Sequence, residues 1–218
     1  MTALDASTEP APFGDLLIHW DRRVLQPRMW TTAQSYWAAA LAPHCPDGPI
    51  LELFCGAGQI GLLAASLTGR ALVQVDQDPV AGSFAQRNAA AAGLPSDVRV
   101  GSVTEALEPD ERFGLIVIDP PWVPSADVEQ FPDDPVLAID GGLDGSDKVV
   151  LGLGVALRHL HPEGHAIVQV GHAAQTELVQ ALLKGLGGDQ LPWTVREVRD
   201  YSPGGLLVHV GPESTSAS

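Results

Sequence analysis

Short apolar segments alternate with amphipathic helical patterns along this chain, and that alternation limits its fold more than any other feature. The predicted strands are Ile50–Phe54, Ala71–Val75, Val98–Val100, Leu115–Ile118, Ala166–Val170, Thr194–Arg199 and Leu206–Val210. A helix between two successive strands brings the second strand back parallel to the first. The sequence therefore predicts an α/β fold, with a mostly parallel sheet and helices on both faces.

The ends of the predicted helices carry residues that suit helix termini. Asp78 can cap a helix that has Pro79 at its first position and stops at Gly93. Three more helices are predicted, from near Gln59 to Gly69, from about Ser146 to His161 and from about Ala173 to Leu186.

The composition indicates one globular domain and excludes several classes of protein. Of the 218 residues, 45% are hydrophobic and 18% are charged, which is enough apolar content for a core. No apolar run reaches the ~20 residues of a membrane span, and the chain starts without the pattern of a signal peptide. Two cysteines, Cys45 and Cys55, are too few for a disulfide framework. A cytoplasmic location is therefore expected.

The net charge of −15 bears on the choice of partner. Nucleic-acid binding draws much of its affinity from Lys and Arg, so DNA or RNA is an unfavourable substrate for so acidic a chain. A protein or a small molecule is the expected partner. The histidines are scattered without the spacing of metal ligands, and no metal is predicted.

A glycine-rich segment follows the first strand of the predicted sheet. Gly56, Gly58 and Gly61 form a G-x-G-x-x-G pattern between this strand and a helix, and Asp76 ends the next strand. Glycines there allow a tight turn and close approach of a ligand to the backbone, while the carboxylate can accept hydrogen bonds from both ribose hydroxyls. The segment therefore predicts a nucleoside site.

Glu52, just before this loop, favours one class of nucleoside over another. Dinucleotide folds place a pyrophosphate at the helix N-terminus, and a carboxylate would repel it. S-adenosylmethionine has no phosphate and carries a sulfonium and an ammonium, which a carboxylate attracts. The Glu-x-Phe-x-Gly-x-Gly pattern accordingly resembles motif I of class I methyltransferases. The small side chain of Cys55 is expected to pack inside the turn.

The fourth predicted strand ends in Asp119-Pro120-Pro121-Trp122, which we interpret as the centre of the chemistry. Two prolines form a rigid turn at the carboxyl end of a strand, where α/β sheets bind ligands. The Asp119 side chain and the Pro120 carbonyl can accept hydrogen bonds from one substrate nitrogen and so orient it. Trp122 can stack on a planar group.

This tetrapeptide matches the (Asn/Asp/Ser)-Pro-Pro-(Tyr/Phe/Trp) motif of methyltransferases that act on nitrogen, and three further segments narrow the resemblance. Residues 24–31 resemble the V-L-I-P-R-x-x-T segment of the HemK/PrmC-type glutamine methyltransferases. Residues 137–147 resemble their A-L-D-G-G-x-D-G-L-D segment, and residues 169–175 their E-I-G-x-x-Q segment. The chain is thus similar to this family from about Phe13 to Val210.

The resemblance implies a Rossmann-like, seven-stranded sheet whose last strand is antiparallel, and methylation of a glutamine side-chain nitrogen in translation release factors. It implies a catalytic motif of Asp119, Pro120, Pro121 and Trp122, with S-adenosylmethionine as cofactor and S-adenosylhomocysteine as product. The residues expected to bind the cofactor are Arg28, Glu52, Phe54, Gly56, Gly58, Asp76, Gln77, Ser102 and Asp119.

The chain departs from the family pattern at several positions. Asp119 stands in place of the usual Asn, Gln169 in place of a Glu, and Ser102 where many relatives have an acid. A carboxylate only accepts hydrogen bonds, whereas an Asn amide also donates. The acceptor is therefore left open between a glutamine amide and a small-molecule amine.

The expected organisation has four parts. Residues 1–12 are predicted to be a disordered tail, residues 13–48 a segment and helix that cover the cofactor pocket, residues 49–211 the catalytic domain, and residues 212–218 a second disordered tail. The family's helical amino-terminal domain has no counterpart before Phe13, so a partner subunit or a homo-oligomer is considered.

Two alternative functions remain open from the sequence. The Asp-Pro-Pro-Trp motif also occurs in adenine methylation, so the chain could be a nucleic-acid amino methyltransferase. It could instead be a catalytically silent, methyltransferase-like partner subunit. The acidic loop residues Asp127, Glu129, Asp133 and Asp134 either form a solvated loop or a docking surface for a basic or amine-bearing substrate.

Overall fold

A computed structural model of the chain describes residues 10–187, 193–202 and 204–213. Most of both predicted tails, residues 1–9 and 214–218, lies outside the described residues. Strand β1 already begins at Ala11, inside the range predicted as the first tail.

The structure is built on one seven-stranded sheet, which confirms the predicted fold class. The strands, in chain order, are β3 (Ile50–Leu53), β4 (Leu72–Asp76), β5 (Ser96–Val100), β6 (Phe113–Ile118), β7 (Leu160–Val170), β8 (Trp193–Asp200) and β9 (Leu206–Pro212). Their order in the sheet is β5-β4-β3-β6-β7-β9-β8. All pairings are parallel except those of β9, the last strand, which runs antiparallel to both neighbours. A separate hairpin pairs β1 (Ala11–Phe13) with β2 (Leu16–Ile18).

Helices cover both faces of this sheet and bury a core on each side. The helices are α1 (Thr32–Leu41), α2 (Gln59–Thr68), α3 (Pro79–Ala92), the short α4 (Val136–Ile139), α5 (Asp147–His159) and α6 (Ala173–Gly187). Side chains of α1, α2 and α3 form one core with the hairpin, and those of α5 and α6 form the other. Successive residues of a strand alternate between the two cores, as Leu115 and Ile116 do.

The capping residues act where the sequence predicts. The Asp78 side chain accepts a hydrogen bond from the Val80 N–H at the start of α3, and Gly93 ends that helix in the left-handed conformation. Helix α2 likewise begins at Gln59 and ends before Gly69.

Several predicted boundaries differ from those of the structure: β7, predicted from Ala166, already begins at Leu160. Two of the errors have a clear structural cause. The helix predicted to reach His161 ends at His159, because Leu160 already pairs with Phe113 at the start of β7. The first predicted strand stops at Leu53 rather than Phe54, because Phe54 has a φ of 61° and turns the chain out of the sheet. Both errors arise where a buried apolar run continues past a change in backbone direction.

The topology places a crevice at the carboxyl edge of the sheet. From β3 the chain first adds strands on the β4 side and then returns to add β6 on the other side. Loops that leave β3 and β6 therefore diverge, and this reversal point is where open α/β sheets bind ligands. Within the described part of the chain, every helix is too short or too polar to span a bilayer.

Gly61 in α2 gives a test of this packing. A Cβ added there would lie 2.4 Å from the Glu52 carboxylate oxygen Oε2 and 3.0 Å from Leu72 Cδ1. Gly61→Ala should therefore lower the free energy of unfolding by about 1–3 kcal/mol, as overpacking does. Urea denaturation measures this change.

Gly185 in α6 is the matched control, because an added Cβ there meets nothing within 4 Å. Gly185→Ala should raise the free energy of unfolding by about 0.5–1 kcal/mol through helix propensity alone. Equal stabilisation by both substitutions would contradict the packing described for Gly61.

Candidate active site

A cleft opens at the carboxyl edge of the sheet, above the ends of β3, β4 and β6. Its empty volume is about 730 Å³, counting the part open to solvent. The sheet, its loops and the first turns of α2 and α3 contribute Phe54, Cys55, Gly56, Gln59, Asp76, Gln77, Asp78, Ala81, Asp119 and Pro121. Other segments contribute Arg23, Val24, Leu25, Pro135, Leu137, Ala138 and Lys148.

The glycine loop forms the floor of this cleft by adopting backbone angles that most residues avoid. Gly56 and Gly58 have φ values of 55° and 84°. A Cβ at Gly58 would lie 2.7 Å from the Gln74 amide nitrogen, whereas a Cβ at Gly56 would meet nothing within 4 Å. Gly58 is thus required for packing, and Gly56 leaves its backbone open to a ligand.

Asp76 ties the end of β4 to this loop. One carboxylate oxygen accepts the Gly56 N–H at 2.8 Å, and the other accepts the Asp78 N–H at 2.9 Å. Burial raises the pKa of Asp76, and these backbone hydrogen bonds partly oppose the increase. The carboxylate keeps lone pairs that no backbone group uses, and it lines the cleft as predicted.

Asp119 lies across the cleft at the end of β6. Burial raises the pKa of its carboxyl to about 6, while a hydrogen bond from the Gln34 side chain and the charge of Arg28 act in the opposite direction. Pro121 also lines the cleft, whereas Pro120 is buried beneath it. The cleft therefore brings together the glycine loop, Asp76 and Asp119.

Trp122 does not line the cleft. A Cβ added to Gly171 would lie 2.2 Å from Trp122 Cε3, so the indole packs directly on this glycine and on the core beside α5 and α6. Its carbonyl accepts a hydrogen bond from Gln175 Nε2 at 3.3 Å. The indole is thus a packing group here, and the predicted stacking on a substrate has no support from its position.

Glu52 lies beneath the glycine loop rather than on the wall of the cleft. Its Oε2 accepts a hydrogen bond from Gln74 Nε2 at 2.6 Å, and the residue is 1% exposed. Burial raises the pKa of Glu52 to about 8, so the group is mostly a neutral acid at pH 7. Glu52 is not among the residues that line the cleft, and its attraction to a cationic ligand stays a prediction.

Two other predicted cofactor residues also lie off the cleft. Ser102 follows β5, and its Oγ shares a hydrogen bond of 2.7 Å with Thr104 Oγ1. Arg28 forms an ion pair with Asp134, and its guanidinium lies 5.3 Å from the centre of the Trp30 ring. The charge of Arg28 lowers the pKa of Asp119.

Several lining residues were not predicted from the sequence. Arg23, Val24 and Leu25 reach the cleft from the segment before α1, and Lys148 reaches it from α5. The segments that carry Leu25 and Leu137 resemble motifs of the family. This resemblance is the sequence feature that could have placed both residues at the cleft. Gln34 carried no signal, since a lone glutamine in a helix is a common surface residue.

The charged and titratable side chains at the cleft limit which ligands it can bind and which reactions it can support. Three carboxyl groups, those of Asp76, Asp78 and Asp119, face two cations, Arg23 and Lys148. Burial raises the pKa of Cys55 well above its ordinary value, so its thiol stays neutral and unsuited to nucleophilic attack. Among the described residues, no group of three His, Cys, Asp or Glu side chains could hold a metal ion.

Comparison with known proteins gives the family. A model of the methyltransferase small domain matches residues 35–131. The release factor glutamine methyltransferase of Geobacter sulfurreducens is 36% identical over 170 residues, covering 75% of this chain and 58% of that protein. The corresponding enzyme of Gloeobacter violaceus is 30% identical over 200 residues, covering 88% and 68%. The chain belongs to the HemK/PrmC-type methyltransferase family.

A second group of relatives is named for a different substrate. The ribosomal protein uL3 glutamine methyltransferase of Bordetella pertussis is 34% identical over 166 residues, covering 71% of this chain and 54% of that protein. This HemK/PrmC-type chain thus spans little more than half of the length of the Geobacter and Bordetella relatives.

Solved structures support the fold. The ribosomal protein L11 methylase of Lactobacillus delbrueckii subsp. bulgaricus superposes with a TM-score of 0.62 at 14% identity, covering 87% of this chain and 82% of that chain.

Glu52 predicts a pH dependence of stability. Its folded-state pKa of about 8 lies above the ordinary value of 4.5. The stabilisation from the protonated group is therefore complete below about pH 4.5 and is lost as the pH rises through 8. Glu52→Gln has no such titration. The difference in free energy of unfolding between this variant and the wild type should therefore change in favour of the variant from pH 5 to pH 9, whichever protein is more stable at pH 5.

Urea denaturation at pH 5, 7 and 9 measures this difference. Glu105→Gln, a change at an exposed position, is the control and should leave the pH profile unchanged. A difference between Glu52→Gln and wild type that stays constant from pH 5 to pH 9 would show that Glu52 is ionised in the folded protein.

Proposed function

We propose that this chain transfers a methyl group from S-adenosylmethionine to the side-chain amide nitrogen of a glutamine in a protein. The observation that carries the proposal is the meeting of the Gly56 loop, Asp76, Asp119 and Pro121 in one cleft. The loop and Asp76 suit a nucleoside, and Asp119 suits an acceptor nitrogen. Relatives named as glutamine methyltransferases of a release factor and of uL3 support the same acceptor.

The lining of the cleft fits S-adenosylmethionine, which when bound would supply an electrophilic methyl group on a sulfonium. Asp76 would accept hydrogen bonds from the ribose hydroxyls, and the open side of Gly56 would let the backbone approach the ligand. The excess of carboxyl groups suits a ligand with a sulfonium and an ammonium better than a pyrophosphate. Phe54 and Gln77 border the same space. We assign no direct contact to Arg28, Glu52, Gly58 or Ser102.

Asp119 would hold and activate the acceptor nitrogen. An amide nitrogen is a weak nucleophile, because its lone pair is delocalised into the carbonyl. A carboxylate oxygen of Asp119 that accepts an N–H of the acceptor would help to fix the direction of this lone pair. The same carboxylate, with a pKa of about 6, could take the proton that the nitrogen releases on methylation.

The surface beside the cleft supports a protein substrate. Glu129 and Asp133 are exposed on the loop after Asp-Pro-Pro-Trp, and Val136 and Leu137 are exposed on the short helix that follows. Acidic and apolar groups together complement a basic, partly apolar protein surface, whereas they would repel a phosphate backbone. We place the activity in the cytoplasm, where release factors and ribosomal proteins act.

A small-molecule amine is the second candidate acceptor, and Asp119 is the observation that favours it. An amine nitrogen becomes positively charged on methylation, and a nearby carboxylate stabilises this charge. An amide nitrogen does not keep such a charge, because it releases a proton on methylation. Asp119→Asn, which restores the residue usual in the family, separates the two acceptors. Transfer to glutamine should persist in this variant, whereas transfer to an amine should fall by about 10²-fold or more.

Calorimetry tests the cofactor assignment. S-adenosylhomocysteine should bind the wild-type chain, and NAD should not. Asp76→Ala should weaken binding by about 10- to 100-fold, because it removes hydrogen bonds to a charged acceptor. Asp97→Ala changes an acid on the exposed side of β5 and should bind like wild type. If neither S-adenosylmethionine nor S-adenosylhomocysteine bound at millimolar concentration, the enzymatic proposal would be lost.

The pH dependence of transfer tests the role of Asp119. The ionised carboxylate is the active form, so the rate of radiolabelled methyl transfer to a release factor or to uL3 should fall as the pH drops through about 6. Asp119→Asn does not titrate in this range and should lose this acid limb. An acid limb that survives in Asp119→Asn would assign the titration to another group.

A further inference from the structure

The cleft carries more acidic than basic side chains, and this limits where an anionic group could bind in it. Asp76, Asp78 and Asp119 line the cleft together with the cations Arg23 and Lys148. Like charges at close range repel each other. A ligand with both a cationic and an anionic group must therefore place its anion beside one of the two cations.

Arg23 already has an acidic partner within the chain. Its Nε donates to the Asp21 oxygens Oδ1 and Oδ2 at 3.0 and 3.1 Å, and Asp21 is buried. Arg28, whose charge acts on Asp119, is likewise paired with Asp134. The fold thus holds a carboxylate beside each of these guanidinium groups, and this carboxylate offsets the positive charge.

Lys148 lines the cleft without such a partner. Within the part of the chain that the structure describes, no carboxylate lies at ion-pair distance from its ammonium. Hydrogen bonds from the Ser125 hydroxyl and the Gly142 N–H lower the pKa of Asp140, and the charge of Lys148 adds to this effect from a longer distance. A lysine ammonium has three N–H donors, so Lys148 can offer its charge to a ligand.

Helix α5 places Lys148 at the carboxyl edge of the sheet. The helix connects the parallel strands β6 and β7, so it runs back from this edge and its first turn lies there. A Cβ added to Gly152 would lie 2.7 Å from Phe54 Cε2 and 2.9 Å from Ile118 Cγ2. Lys148 precedes Gly152 by one turn on the same side of the helix. It therefore lies beside the residues that lead into the glycine loop and into Asp119.

Helix formation does not explain a lysine at this position. Lys148 is the second residue of α5, where the positive end of the helix dipole disfavours a cation. Asp147, the first residue, suits this end of the helix. A local preference that is broken at a ligand cleft is typical of a functional residue.

The proposed cofactor has an anionic group that needs a cation of this kind. S-adenosylmethionine carries an amino acid, with an ammonium and a carboxylate, beyond its sulfonium. A ribose at Asp76 on β4 and a methyl group directed at Asp119 on β6 would leave the amino acid on the side of the cleft that α5 covers, away from β4.

We propose that Lys148 binds the carboxylate of the amino acid portion of S-adenosylmethionine. The acids of the cleft would attract the ammonium and the sulfonium, and Lys148 would offset their repulsion of the carboxylate. The inference rests on the proposed function for the identity of the cofactor. It adds a contact from α5 to those of the glycine loop and Asp76.

Calorimetry with two ligands separates the carboxylate from the rest of the cofactor. S-adenosylhomocysteine carries this carboxylate, whereas its decarboxylated analogue keeps the nucleoside, the sulfur and the amine. The wild-type chain should bind S-adenosylhomocysteine about 10- to 100-fold more tightly, because the analogue cannot form the charge-assisted hydrogen bond. Lys148→Met should remove this preference by weakening the binding of S-adenosylhomocysteine alone.

Lys184→Met is the matched control. Lys148 and Lys184 are the two lysines of the chain, and Lys184 is exposed on α6, outside the lining of the cleft. This variant has the same change in net charge and should keep the preference of the wild type. Lys148→Arg retains a cation and should keep most of the preference, and Lys148→Gln serves if the methionine variant does not fold.

A Lys148→Met variant that keeps the preference, or that binds both ligands more weakly by the same factor, would overturn the proposal. So would unchanged binding of S-adenosylhomocysteine with a raised KM for the protein acceptor, because Lys148 would then belong to the acceptor site. If the wild-type chain bound neither ligand, the proposed cofactor would itself be contradicted, and this assignment with it.

Discussion

The hydrogen bond between the Gly56 N–H and the Asp76 carboxylate is the interaction on which the site depends. It joins the loop after β3 to the end of β4, and it forms only because Phe54, Gly56 and Gly58 accept left-handed backbone angles. Asp119, at the end of the neighbouring strand β6, then faces this loop from the opposite side.

Burial gives the acidic groups at this edge different states. Glu52 lies under the loop with Gln74 as partner, and its pKa of about 8 keeps it mostly neutral at pH 7. Desolvation also raises the pKa of Asp119, but the Gln34 side chain and the charge of Arg28 favour its charged form and hold this pKa near 6. One acid therefore serves packing, and the other stays available as a hydrogen-bond acceptor and as a base close to neutral pH.

Local patterns in the sequence were sufficient for the framework of this site. Gly56, Asp76 and Asp119 each end a predicted strand or begin its loop, and parallel strands bring such positions to one edge. The orientation of Trp122 could not be predicted, because it depends on contact with Gly171, a residue distant in the sequence. The neutral state of Glu52 could not be predicted either, because it arises from the burial of this residue in the folded chain. Single positions in a sequence do not reveal such pairs.

A crystal structure of the chain with S-adenosylhomocysteine and a glutamine-containing peptide would test the central claim most directly. The account predicts the ribose hydroxyls on Asp76, the nucleoside against the Gly56 loop, and the glutamine amide nitrogen within hydrogen-bond distance of Asp119. A nucleoside bound elsewhere would contradict it. So would a glutamine amide that contacts Trp122 or Arg28 while Asp119 stays without a bond to it.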